Sequence, residues 1–206
     1  MSDTVVAVSN LEDWFRQSIG GALEKRHVAA EAHTERYMVR LATDFARSEN
    51  LYEYSRDGGY GLKPLARMLT DALEASSAEL RQQTLQRLGD VALFIAGFFA
   101  DSLSHKSVDV DYYSHMGEAA YSTLAELPAR SVREAALNAV FVELARKFGE
   151  FVDVLNEVAQ QAQVTAERDI FRLYELWVRT GSRRAADKLR ELGVQPAEST
   201  RVRFTH

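Results

Sequence analysis

Eight apolar positions between residues 137 and 162 constrain this chain more than any other feature. Leu137, Phe141, Leu144, Phe148, Phe151, Leu155, Val158 and Ala162 follow one another at alternating intervals of four and three. That alternation is the seam of a helix lying against another helix at a shallow angle. A strand would need period two, and no segment of the chain sustains it. Ser131 with Glu134 reads as a capping box, so one long helix is expected over about 131–163. Val140, Val152 and Val154 widen its apolar surface beyond what one neighbouring helix normally covers.

A second element completes the plan. Val91 to Ala100 is apolar throughout and is bounded by Asp90 and Asp101. A membrane-spanning helix needs about 20 such residues, so this run is expected as a buried core helix over about 88–103. Ala92, Ala96 and Ala100 recur every four residues, with Gly89 and Gly97 on an adjacent ridge. Small side chains let a neighbouring helix approach closely, which places this helix at the bundle's centre. Ser76 with Glu79 is the capping box expected to open it.

Further helices are expected over Leu11 to Ala22 with Asn10 as cap, over about Ala29 to Arg47, and from Pro64 to about Ala75. Others run from Tyr112 to Leu127, from Thr165 to Arg179, and from Ser182 to Gly193. The glycine-rich stretch 55–61 reads as a loop. The fold class is all-α: a single-domain helical bundle of seven or eight helices over 1–193, with a flexible polar tail over 194–206.

Composition narrows the function classes. Of 206 residues, 46% are hydrophobic and 27% charged, with 11 Gly and 3 Pro, which excludes disordered and low-complexity chains. With no cysteine, the chain has no disulfide, thiolate metal site or cysteine nucleophile. A net charge of -5 argues against nucleic acid or an anionic membrane as partner of the whole surface. The first ten residues hold Asp3 and no Lys or Arg, unlike the basic start of a signal peptide. A cytoplasmic protein without membrane insertion is expected.

Several separated strings resemble one family. They are Gly89 to Phe99, Val110-Asp111-Tyr112-Tyr113 with Met116-Gly117 and Ala120-Tyr121, Phe151 to Glu157, and Leu173 to Trp177 leading to Thr180-Gly181-Ser182. Together, over residues 85–193, they resemble a bacterial family of soluble all-helical proteins of roughly 200 residues. The resemblance implies a fold and brings no activity and no site residue.

Four groups of residues could carry chemistry. Asp111, His115 and Glu118 stand at i, i+4 and i+7 on one helix stripe, a donor set suited to a divalent metal. A capping aspartate and a surface His–Glu pair would give the same pattern. His27 and His33, each followed by acids, are the candidates for a haem or metal ligand held by a carboxylate, against exposed histidines among charges. Ala32-His33-Thr34-Glu35 is similar to the proximal helix of haem oxygenases, but the distal Gly-x-x-x-Gly is missing. Tyr54, Arg56 and Tyr60 in the glycine loop could serve recognition.

Finally, residues 168–203 hold nine Lys or Arg against five acids, and Arg179, Arg183, Arg184 and Lys188 are the candidates for binding an acidic partner. Gly181-Ser182-Arg183-Arg184 looks like a helix-turn-helix opening, but Pro196 and a polar tail follow where a recognition helix should lie.

The expected function is a non-enzymatic helical interaction or regulatory module that forms a homodimer, with Trp14, Phe15 or Trp177 as anchors and no cofactor. The alternative is a helical-bundle protein that binds metal or haem. Weak nucleic-acid binding through the basic end ranks third.

Overall fold

The computed structural model describes residues 8–51, 53–54, 60–100, 110–164, 174, 176–177, 180 and 182–191. Its helices are α1 (Val8–Lys25), α2 (Ala32–Phe45), the single turn α3 (Ser48–Leu51), α4 (Leu65–Leu73), α5 (Ala78–Phe98), α6 (Val110–Ala125), α7 (Val132–Arg146), α8 (Phe148–Val164) and α9 (Arg183–Glu191). Eight of these exceed one turn, and the chain is an all-α bundle. A two-residue hairpin, β1 (Glu53–Tyr54) with β2 (Tyr60–Gly61), flanks the glycine loop, with Tyr54 opposite Tyr60. The tail over 194–206 lies outside the described residues.

The apolar run forms the centre as expected. Every residue from Val91 to Gly97 is buried, and α5 packs against α2, α4, α6 and α8. Its cap is Ser77, one residue later than the capping box suggests. Ser77 has extended backbone, and its hydroxyl accepts from the Leu80 N–H at 3.1 Å. Glycines set the closeness of the centre. A Cβ on Gly97 would stand 2.5 Å from the Leu155 Cβ of α8, and one on Gly117 would stand 2.4 Å from the Phe148 ring.

The long helix expected over 131–163 is instead two helices, broken at Lys147. Ser131 caps α7 by accepting from the Glu134 N–H at 3.1 Å, and the Glu134 carboxylate accepts from the Arg130 N–H. At Lys147 the backbone leaves the helical region (φ -111°, ψ 23°), and its carbonyl starts α8 by accepting from the Phe151 N–H. The two halves share α6 but differ in their other neighbours: α7 packs on α6 and α2, whereas α8 packs mainly on α5 and α1 and also touches α6. One straight rod could not serve both. The seam survives the break, with Phe141, Leu144, Phe148, Phe151, Leu155, Val158 and Ala162 all buried.

Val140, Val152 and Val154 are also buried, so the surplus apolar surface expected there is covered within the chain. Phe15 and Trp177 belong to the core, and Trp14 is half-buried against it.

α1 closes in a Schellman motif. The His27 N–H donates to the Glu24 carbonyl and the Val28 N–H to the Leu23 carbonyl, with His27 at φ 55°. A left-handed backbone is unfavourable for a residue with a Cβ. His27→Gly is therefore expected to stabilise the protein by about 1 kcal/mol. A denaturant midpoint unchanged or lowered in that variant would contradict this geometry.

Candidate functional site

The structure describes part of the sequence-predicted site residues. His27, exposed, closes α1, and His33, also exposed, lies near the start of α2 with its Nδ1 3.1 Å from an Arg36 guanidinium nitrogen. Asp111 and His115 are exposed on the first turns of α6, and Glu118 is half-buried. The His115 ring bonds the Asp111 backbone carbonyl at 2.7 Å, not its carboxylate. Among the described residues, no group of three His, Asp or Glu is placed to hold a metal ion. Arg183 and Arg184 are exposed at the start of α9, where Ser182 caps the helix. Arg56 and Arg179, and the side chains of Tyr54, Tyr60 and Lys188, lie outside the described residues.

A polar junction that sequence spacing does not reveal joins three helices. Oδ1 of Asp90, on α5, accepts from the Tyr37 hydroxyl of α2 at 2.6 Å and the Tyr121 hydroxyl of α6 at 2.7 Å. Gln86, one turn earlier on α5, donates to the Tyr37 oxygen at 2.9 Å. Gly89 makes this possible, because a Cβ there would meet the Tyr121 ring at 2.7 Å. Phe141 of α7 stacks on Tyr121 at 5.7 Å and meets Tyr37 edge-on at 6.0 Å.

Asp90 is half-buried by area, and no Lys, Arg or His among the described residues forms an ion pair with it. Burial pushes its carboxyl up to about 6 against the pull of the two phenols and of Arg87, with Asp44 adding to the rise. Burial and the Asp90 charge also raise both phenols well above the usual tyrosine range.

A second cluster holds the start of α2. The Glu143 carboxylate of α7 accepts from the Glu31 N–H at 3.1 Å and from Lys147 Nζ at 2.9 Å, and Nζ also donates to the Ala29 carbonyl at 2.6 Å. Glu31, at the cap position of α2, makes no capping bond with its own side chain. Glu143 supplies that capping from another helix. Burial alone would raise the Glu143 carboxyl; the Thr34 hydroxyl beside it, Lys147 and the Glu31 N–H outweigh burial and hold it below the usual range. The Thr34 hydroxyl favours the charge by its dipole, although it falls outside hydrogen-bond geometry. On the surface, Lys25 and Arg26 at the end of α1 pair with Glu157 of α8, at 2.5 Å and 3.8 Å.

The outer face of α7 is the remaining feature. Val132, Ala135, Ala136, Ala139 and Val142 are all exposed, and their spacing puts them on one stripe opposite the buried Val140, Phe141 and Leu144. Val132 is 90% exposed and Val142 51%. At the Val132 end, the Arg130–Glu79 ion pair (3.8 Å) joins α7 to the start of α5, where Leu80 is exposed, and Leu73 is exposed at the end of α4. This stripe has helical spacing and was legible, but the stronger seam on the opposite face of the same helix hides it.

Compared with protein-family models, with curated proteins and with solved structures, the chain finds no match. Among the described residues, no helix is long and apolar enough to cross a membrane.

Proposed function

We propose that this chain is a non-enzymatic helical interaction or regulatory module that self-associates through the outer face of α7. The supporting observation is the exposed stripe of five apolar positions from Val132 to Val142, which is uncharged until Glu143 and the exposed Arg146 follow on the same face, on a helix whose other face is already in the core. Surface helices of single-chain proteins normally turn charge outward, and apolar patches mark contact sites. The stripe is also self-complementary. About a two-fold axis at residue 137, Val132 of one copy would meet Val142 of the other and Ala135 would meet Ala139, while Ala136 would meet Asn138. Alanine along the middle lets two helices approach closely.

One pair of 15-residue helices falls short of the roughly 1,600 Å² of a standard interface, even with Leu73 and Leu80 beside it. Micromolar affinity, about -8 kcal/mol, is therefore expected. Ala139→Glu tests the face. Like charges then meet near the two-fold axis, and dimerisation should weaken by at least about 100-fold, while stability stays within about 0.5 kcal/mol because the site is exposed. Sedimentation velocity that shows the same dimer fraction in this variant would remove α7 from the interface.

A further inference from the structure

We propose that the second copy lies antiparallel on the α7 face, with Arg146 of each copy paired to Glu79 of the other. The inference rests on the self-association reading above and adds to it an orientation set by charge. Arg146 stands seven residues after Ala139 and four after Val142, so helical spacing prolongs the stripe through it. It is exposed, and among the described residues it pairs with no acid. The face is thus apolar for most of its length and ends on a cation.

The opposite end carries the complement. Glu79, on the first turn of α5, is tied to the Val132 end by Arg130 at 3.8 Å, and its side chain remains 68% exposed. Charged hydrogen bonds close to about 2.7–2.9 Å, so this carboxylate keeps room for a second donor. Leu80 beside it is 46% exposed and offers an apolar seat to the stem of an arginine.

Register brings the two ends together. Arg146 lies nine residues from the axis at residue 137, about 13 Å along the helix. At the same height on the second copy comes Pro128, two residues before Arg130, the residue that holds Glu79. Two-fold symmetry makes the contact twice. Parallel copies would set Arg146 against Arg146, although their valines and alanines would pair equally well. Charge therefore selects the antiparallel order, which the apolar stripe alone does not.

Charge exchange reads the pairing. Arg146→Glu sets two carboxylates together at both ends of the dimer, and Glu79→Lys sets two cations together. Each variant alone should self-associate at least about tenfold more weakly than the wild-type chain in sedimentation equilibrium. An equimolar mixture restores both pairs in the mixed dimer, and its average mass should exceed that of either variant at the same total concentration. Both positions are exposed, so thermal unfolding should stay as in the wild type. Variants that dimerise as the wild type does, or a mixture no heavier than its components, would overturn the pairing. Ala139→Glu in the same series separates the two claims. If it loses association while the charge variants keep theirs, the α7 face stands and the pairing falls. If it associates unchanged, the face falls and the pairing with it.

Discussion

Replacing Gly97 with alanine is expected to destabilise the bundle by about 2 kcal/mol, although alanine is the better helix former by about 1 kcal/mol. The added Cβ would meet the Leu155 Cβ at 2.5 Å, an atom fixed to the α8 backbone, so relief requires α5 and α8 to move apart. Leu155→Ala should not rescue the variant, because it removes only the more distant Cγ and Cδ1 contacts, at 3.3 and 3.0 Å, and leaves the Cβ in place. Gly21 is the internal control. It lies in α1 with nothing within 4 Å of an added Cβ, so Gly21→Ala should gain about 1 kcal/mol by propensity alone. Urea unfolding of the three variants tests the packing: equal effects at Gly97 and Gly21 would mean that α5 and α8 are not in close contact.

Lys147→Ala is expected to cost about 3 kcal/mol, because it leaves Glu143 charged and buried without its cation. Glu143 is 7% exposed and the Lys147 side chain 17%. The same change removes the donor to the Ala29 carbonyl, so the link between α1 and α2 loosens. The pH dependence has a definite sign. A carboxyl held below its usual range contributes stability above the unfolded-state value near 4.5, and that stability is lost as pH falls through the lower folded value. The wild-type chain should therefore lose more stability between pH 5 and pH 3 than Lys147→Ala does. Equal losses in thermal unfolding at the two pH values would show that Glu143 gains nothing from Lys147. Lys147→Met, which keeps the stem, separates packing from charge.

Much of the fold was legible because it depends on local pattern. The seam from Leu137 to Ala162, the apolar run of α5 and the Ser131–Glu134 cap all act within a few residues of themselves. The break at Lys147 was not legible, since each side of it keeps the same spacing. It arises because α7 and α8 have different partners, and the Lys147 side chain turns to Ala29, 118 residues away in the chain.

The Asp90 junction was hidden for the same reason. Its phenols stand 53 and 31 residues from the carboxylate, and nothing around Tyr37 or Tyr121 distinguishes them from core aromatics. Asp111 and His115 of the α6 stripe stand on an exposed face, with no group of three His, Asp or Glu placed to hold a metal ion among the described residues. Val140, Val152 and Val154 widen the apolar surface by their spacing, but the chain buries all three itself, and the exposed stripe lies on the other side of α7.

Sedimentation equilibrium on the wild-type chain over about 1–300 μM tests self-association most directly. Two copies of a 23.2 kDa chain in exchange should give an average mass that climbs with concentration toward twice that value. Ala139→Glu, run in parallel, should stay close to 23.2 kDa up to about 10 μM and begin to climb only at concentrations about 100-fold above those at which the wild-type chain does. A wild-type mass that stays at 23.2 kDa throughout would contradict the account.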